Sequence, residues 1–583
     1  LENGRRLANH PGAPRVRLGS ACEFFQNLEA QAGDRLPVWN GELYLEYHRG
    51  TYTSQARTKR TNRKCEFLLH DAEFLAAWAA LASGYEYPHA ELTRAWELLC
   101  LNQFHDVLPG SSIGQVYEDS GRDYEAIRAI SEQVRETALA ALSRLLPEET
   151  TFVAVNPTSF GGRHIGLLSE QLAEGQTLTD LASGEPLVTQ PVEDGTLVEV
   201  SRIDPYGLVA LGSGGMPPPL PAGVAVAHLV NGVAVLENDV LRVEFDAAGH
   251  IIRLFDKTVG REVLPPGQRA NVFQAFEDRP LGGEAWNIDI FYDEKQWAAE
   301  PAYSLTIIET GPLRAGLEIR RRLLNSEIVQ CVYLYRGYRR LDFDTWIDWR
   351  ERHVLLKVAF SVDILSPVAT YDIQWGNIQR PTHRNTSWDW ARFETVAHKW
   401  VDLSEGTYGV SLLNDCKYGH DVQGNVIRLT LLRGPTYPDS DADQGEHRFT
   451  YSLLPHAGDW RTGTVPASYA LNDPLLVRRV NGGDDGDNPS PSLVAVDVPN
   501  VIIETVKQAE DGEGLIVRLY ENERCRGPVV LQVGFPLAAA YRCNLLEQDE
   551  ASLVVAQNAV HFSVKPYQIV TLRLVPALEG QCG

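Results

Sequence analysis

The chain has 583 residues, 44% of them hydrophobic and 22% charged. That is the make-up of an ordinary soluble globular protein, with room for about four domains at roughly 150 residues each. Lys and Arg number 53 against 77 Asp and Glu, a net charge of −24, which argues against nucleic acid or an anionic membrane as a partner, since both are held by clustered cations. No run approaches the ~20 consecutive apolar residues of a membrane-crossing helix.

The first 20 residues, LENGRRLANHPGAPRVRLGS, carry no apolar core of the kind that marks a secretion signal. The first residue is Leu1 and the single methionine is Met216, so the chain is read as processed or as part of something longer. Residues 39–55, WNGELYLEYHRGTYTSQ, crowd Glu42, Glu46, His48 and Arg49 among Trp39, Tyr44, Tyr47 and Tyr52. Aromatic faces beside charged hydrogen-bonding groups suit a polar ring such as a sugar. A strand with alternate exposed charges would show the same letters.

Helical spacing then predicts three helices. Over Arg57–Ser83 the stripe is Cys65, Leu68, Leu69, Ala72, Leu75, Ala76, Ala79 and Ala82, and Gly84 suits its end. A second helix is expected from about His89 to Phe104, with Leu92, Ala95, Trp96, Leu99 and Gln103 in phase. A third runs from about Ser112 to Leu146, opened by a capping box of Ser112 and Gln115 and stopped by Pro147. Short links make these a three-helix bundle. Between the second and third lies LNQFHDVLPGSS, 101–112, which puts His105 and Asp106 at a helix end beside a Pro-Gly turn. Histidine is the commonest metal ligand, and an aspartate readily accepts sugar hydroxyls. A packed histidine and an aspartate bonding free helix amides would look the same, and one histidine does not make a zinc site, which takes three or four protein ligands.

After Thr150 short alternating runs, among them VAVLENDVLRVEFD and EIVQCVYLYRGYRRLDFDTWIDW, are punctuated by Gly, Pro, Asn and Asp. They predict antiparallel β-sheet in two or three domains. GSGGMPPPLPAG, 212–223, reads as a rigid connector, and NGGDDGDNPSPS, 481–492, as a flexible acidic linker. The loops of 380–394 (RPTHRNTSWDWARFE) and 408–421 (YGVSLLNDCKYGHD) could face a ligand or simply pack the sheet. Arg433, in LLRGPTYPD, could reach a ligand from a loop. The eight cysteines form no CxxC pair, which excludes a zinc ribbon or thioredoxin motif. Cys65 and Cys100 are placed on apolar helix faces, and a reducing compartment is read.

At these residues the chain resembles the glycoside hydrolase family 38 α-mannosidases, close to their cytosolic and bacterial branch. GELYLEYHRGTYTSQARTKRTNRKCEFLL and LNQFHDVLPGSSIGQVYEDSGRDYEAI resemble the entry to the family's helical bundle and the turn between its second and third helices. FEDRPLGGEAWNID, RPTHRNTSWD and DLSEGTYGVSLLNDCKYGHD resemble its β supersandwich, and IIETVKQAEDGEGLIVRLYE its terminal β domain. The resemblance implies a multidomain α+β chain. It would comprise the residual end of an α/β catalytic domain at 1–54, the bundle at 55–149 and a small β domain at 150–225. A large antiparallel β supersandwich at 226–484 and a C-terminal β-sandwich at 485–583 would follow.

The resemblance also implies a retaining exo-α-mannosidase with one divalent metal, zinc or in some members cobalt. His105 matches the bundle's metal ligand and Asp106 a residue that bonds mannose hydroxyls. His48, Arg49 and Arg433 are the further candidates for contact with an α-mannoside. The family's His-Asp metal motif, nucleophilic Asp and acid/base Asp have no counterpart here, and Leu1 would fall just beyond them, so this chain alone is expected to be inactive. A non-catalytic carbohydrate-binding or scaffold protein on the same architecture, or a subunit completing its site with another polypeptide, are the rival readings. A cytoplasmic location is expected, and a homo-oligomer is left open.

Overall fold

A computed structural model describes residues 1–215, 218–219, 223–230, 232–483 and 490–577. Met216, Cys582 and parts of both expected linkers lie outside the described residues. The chain divides into Leu1–Leu45 and Glu46–Gly583. The first unit holds helices α1 (Glu2–Leu7) and α2 (Ala21–Ala32) and a short turn, Gly33–Arg35. Ser20 accepts the Glu23 amide at the start of α2. No residue of this unit is buried, and Phe24, Phe25, Val38 and Leu43 are largely exposed.

In the second unit the bundle is built from α3 (Ala56–Ser83), α4 (His89–Asn102) and α5 (Gly114–Ser143). Gly84 ends α3 in the left-handed region at φ 71°, its N–H reaching the Ala80 carbonyl, where a side chain would be strained. The buried surface of α3 is wider than one stripe, because Phe74, Ala77 and Trp78 are enclosed as well as Leu69, Ala72 and Ala76. One continuous core joins Leu69, Trp78 and Ile127 of the bundle to Val506, Val517 and Leu572 of the C-terminal sheets, so α3 is covered on more than one side. Ala82 and Cys100, placed on apolar faces by periodicity, are exposed, since the final turn of α3 and that flank of α4 run beyond the core. The expected capping box of α5 does not form. The helix begins at Gly114 after Ile113, and Ser112 Oγ instead donates to the Asp106 carbonyl at 2.8 Å, closing the preceding turn.

The β region holds five sheets among the described residues. The small sheet is ordered 178–180, 207–213, 150–156, 476–479, 162–168, 195–203 and 189–192. Its fourth strand, Leu476–Arg479, comes from the far end of the segment read as supersandwich and pairs antiparallel with Thr150–Asn156. An 11-stranded sheet and a 9-stranded sheet enclose one core between them. Phe245, Phe273, Val358 and Phe360 come from the first, and Leu317, Ile319, Phe343 and Tyr451 from the second. Alternation along strands such as Ser326–Tyr335, buried at every second residue, supplies those inward faces. A 4-stranded and a 5-stranded sheet complete the C-terminal end. Among the described residues no helix is long and apolar enough to cross a membrane.

Candidate functional site

Four segments distant in sequence converge where α3 begins. Residues 46–55 form two 3-10 turns, Glu46–His48 and Gly50–Tyr52, where a strand was one expectation. Tight turns win because Gly50 and Ser54 must sit against other backbone. A Cβ on Gly50 would stand 1.9 Å from Arg433 Nη1 and 2.9 Å from the Ala285 carbonyl oxygen. The Gly50 amide donates to the Trp286 carbonyl at 2.8 Å, and Ser54 Oγ donates to the Ala285 carbonyl at 2.8 Å.

Beneath this turn lies Arg433, the last residue of strand Val426–Arg433 and 0% exposed. Its Nε donates to Asp278 Oδ2 at 2.8 Å, Nη1 to Ser54 Oγ at 3.0 Å, and Nη2 to the Asn287 carbonyl at 2.8 Å. A guanidinium enclosed and committed in this way meets no ligand directly. It fixes the turn above it. Burial pushes the Asp278 carboxyl above its ordinary value even though Arg433 opposes the shift. Arg49 is likewise buried, its Nη2 donating to the Ala391 carbonyl at 2.7 Å and its guanidinium 4.5 Å from the Phe393 ring centre. The neighbouring His48 is half-buried, with its Nδ1 lacking a hydrogen-bond partner.

The turn after α4 docks on the same corner. Gly110, at φ 91°, approaches so closely that a Cβ there would stand 2.4 Å from the Ser54 carbonyl oxygen. Lys59 Nζ donates to the carbonyls of Ser54 at 2.5 Å and Leu108 at 2.8 Å, stitching both turns to α3. The carboxylate of Asp443 accepts the Gln55 and Ala56 amides at 2.9 and 2.7 Å. It thus caps α3 from a distant loop, where Gln55 at φ 59° offers no side-chain cap. Burial drives Lys59 down to about 7 and Asp443 up; both move toward neutrality because desolvation outweighs their mutual attraction.

On this base His105 and Asp106 stand outward. The His105 side chain is 75% exposed, and its Nε2 lies 3.2 Å from Asp106 Oδ2. Asp106 Oδ1 accepts Ser111 Oγ at 2.8 Å, and the Phe104 and His105 rings sit 4.2 Å apart. The structure therefore brings His48, Arg49 and Arg433 into the corner that supports the His105–Asp106 turn, the two arginines as buried struts. Sequence reasoning missed Ser54, Lys59, Asp278 and Asp443. Only Gly50 and Gly110 hinted at the close approaches.

Three family models match the chain in this order: the alpha mannosidase middle domain over 46–142, the glycosyl hydrolases family 38 C-terminal domain over 236–441, and the family 38 C-terminal beta sandwich domain over 500–572. The chain belongs to glycosyl hydrolase family 38. The middle-domain match contains both turns of the corner, and the C-terminal-domain match contains Asp278, Asn287 and Arg433. The chain is 37% identical to Alpha-mannosidase 2C1 of Homo sapiens over 99% of its own length and 54% of that protein's. It is 32% identical to Alpha-mannosidase G of Dictyostelium discoideum, with 98% and 56% covered. It is 30% identical to an Alpha-mannosidase of Saccharomyces cerevisiae, with 98% and 52% covered. The chain thus spans about half the length of the curated relatives it matches. An alpha-mannosidase from Enterococcus faecalis shares the fold at a TM-score of 0.79 and 18% identity, with 97% of this chain and 73% of that one covered.

Proposed function

We propose that this family 38 chain forms the substrate-facing support of a retaining exo-α-mannosidase, with His105 as one ligand of a divalent metal and Asp106 as an acceptor for mannose hydroxyls. The observation that carries this is the exposed His105–Asp106 pair, 3.2 Å apart, on a turn pinned through Gly110 and Lys59 to the Arg433 base. A rigid, outward imidazole–carboxylate pair is what a site shared with further protein would present. His48 would add a ring at the same edge, while Arg49 and Arg433 position it from beneath.

A retaining mechanism needs a nucleophile and an acid/base about 5–5.5 Å apart. The buried carboxylates of this corner are already committed, Asp278 to Arg433 and Asp443 to the α3 amides. The half-buried Glu284 is held by Thr436. Both reacting groups are therefore assigned to polypeptide outside this chain, and the chain alone is expected to release no mannose. The metal expected here, zinc first and cobalt second, would find one imidazole and one carboxylate, short of the three or four ligands that zinc takes. A cytoplasmic setting fits the exposed free thiols Cys22, Cys100 and Cys525.

The test is hydrolysis of an aryl α-mannoside by the purified 583-residue chain, with and without zinc or cobalt, beside a longer polypeptide that includes the protein's upstream sequence. Activity in the longer form that His105→Ala abolishes is the expected result. Zinc-dependent turnover by the short chain would overturn the division of labour. Full activity of the longer form without His105 would overturn the assignment of that residue.

A further inference from the structure

A second histidine–carboxylate group lies away from the His105 turn. His70 and Asp71 are in the middle of α3, and Asp473 immediately follows α7 (Thr464–Asn472; the intervening short helix, Ser387–Ala391, is α6). One ligand atom from each of the three lies within 4.8 Å of the others. His70 Nδ1 is 3.5 Å from Asp71 Oδ1 and 3.7 Å from Asp473 Oδ2.

The hydrogen-bond network sets the state of the imidazole. Tyr206 Oη donates to the Ile503 carbonyl at 3.0 Å, so at its 3.1 Å contact with His70 Nε2 the oxygen must accept. Nε2 therefore carries a proton, and in the neutral imidazole Nδ1 presents a lone pair. That lone pair faces two carboxylate oxygens, and burial beside Asp71 raises the Asp473 carboxyl well above its ordinary value, so the cluster needs either a shared proton or a cation. Both His70 Nδ1 and Asp71 Oδ1 are buried without a hydrogen-bond partner. Asp71 is 7% and Asp473 5% exposed, and among the described residues neither carboxylate pairs with a lysine or arginine. Unpartnered charge at that depth is costly unless something positive sits between the atoms.

We propose that His70, Asp71 and Asp473 bind a divalent transition-metal ion at a site separate from the His105 turn, tying the middle of α3 to the end of α7. The donor set of one neutral imidazole and two carboxylates suits zinc, cobalt or manganese and disfavours calcium, which takes oxygen ligands alone. Bonds of about 2.0–2.1 Å in a tetrahedral site place neighbouring ligand atoms roughly 3.3–3.4 Å apart, and the 3.5 Å and 3.7 Å separations need little contraction to reach that. The Tyr206 hydroxyl, accepting from the opposite ring nitrogen, is the outer-shell partner that holds a ligating histidine in its tautomer. The ion has a route in. His70 and Asp473 line a cavity of about 760 Å³ between the bundle, the 9-stranded sheet and the C-terminal sheets, with Glu73, Tyr206, Tyr469 and Glu504 in the same wall. The fourth coordination position would face this cavity and hold water or a small polar ligand.

The test uses the full chain, stripped with chelator and titrated with Co²⁺, whose visible spectrum reports ligand type and geometry, and with Zn²⁺ followed by calorimetry and thermal melting. The chain carrying His105→Ala removes the exposed imidazole. The expected result is one equivalent bound, with a rise in Tm, retained in His105→Ala and lost in both Asp473→Asn and His70→Gln. Asn keeps the shape of Asp473 and its main-chain cap, so that variant should fold, and far-UV circular dichroism of each variant checks this. Absence of stoichiometric binding, binding untouched by both substitutions, or binding abolished by His105→Ala would each overturn the proposal. So would an Asp473→Asn chain that melts higher than a parent that takes up no metal, because a proton shared by Asp71 and Asp473 would then fill the gap. The His105→Ala arm keeps this result separate from the proposed mannosidase role, which can fail on its own.

Discussion

Replacing Arg433 with methionine tests how the corner is held. Methionine keeps much of the volume and removes the cation, leaving Asp278 buried with no opposing charge and the carbonyls of Ala285 and Asn287 short of a donor. Breaking a buried ion pair by deleting one partner typically costs about 3–5 kcal/mol, and that is the destabilisation expected near pH 8. The cost should depend on pH in a defined direction. The Asp278 carboxyl already titrates above its ordinary value because it is buried; without the guanidinium it must rise further. A carboxyl raised on folding contributes most below its unfolded value, and that contribution is lost as pH rises through the folded value. The penalty for Arg433→Met should therefore shrink as pH falls from 8 toward 5, by at most about 1.4 kcal/mol per pH unit. Adding Asp278→Asn removes the stranded charge and should recover much of the loss at pH 8. The assay is urea unfolding at both pH values, with hydrogen exchange across residues 46–58 reporting the turn, since a chain of several domains need not unfold in one step. An equal penalty at both pH values, or a double variant no better than the single one, would refute the reasoning that Arg433 acts by holding Asp278 and the turn.

Three further outcomes follow from the same contacts. Gly110→Ala puts a methyl group 2.4 Å from the Ser54 carbonyl oxygen at a positive φ, so it should cost at least about 2 kcal/mol, read as a drop in Tm and faster exchange across 103–113. Lys59, lowered to about 7 by burial, binds fewer protons folded than unfolded between pH 7 and its ordinary value. Its contribution is thus present at high pH and lost as pH falls through about 7, and Lys59→Met should flatten the rise in denaturation midpoint between pH 7 and 10, a rise of at most about 1.4 kcal/mol per pH unit. His420 and His447 are both lowered to about 3 by burial and must take up protons on unfolding. Stability should therefore fall as pH drops from about 6.5 toward 3, and His447→Gln should make that acid slope shallower in pH-jump unfolding.

The parts of this chain that are local in origin were legible in its sequence. The bundle's first helix, expected over Arg57–Ser83, spans Ala56–Ser83, because its periodic apolar residues and Gly84 act within a few turns of one another. The supersandwich strands announced themselves by alternation. What escaped was long-range. Nothing near residue 476 says that Leu476–Arg479 inserts between 150–156 and 162–168, and nothing near Gln55 says that its helix is capped by Asp443, 388 positions away. Arg433 was read as a loop residue although it closes a run of apolar strand residues, Leu429, Leu431 and Leu432, all at 0% exposure. That run was the available sign that its guanidinium would be enclosed.

The His-Asp dipeptide shows why residue type alone could not locate a site. It occurs at 70–71, 105–106 and 420–421. At 420–421 it lies in a strand, where successive side chains leave opposite faces, so the pair is split: His420 Nδ1 meets the Tyr418 carbonyl while Asp421 joins Lys357 and Arg428. At 105–106 a turn lets both side chains face solvent, and Ser111 steadies the carboxylate. At 70–71 the helix keeps them together, and Asp473 arrives from about 400 residues on to make a third acceptor. The chemistry open to each pair is decided by its third neighbour: a lysine that neutralises it, a hydroxyl that orients it, or a second carboxylate that demands a cation. For His105–Asp106 that neighbour is local, five residues on, but for His70–Asp71 it follows α7 in the β region, so the functional identity of that bundle histidine is written in a segment remote from the bundle.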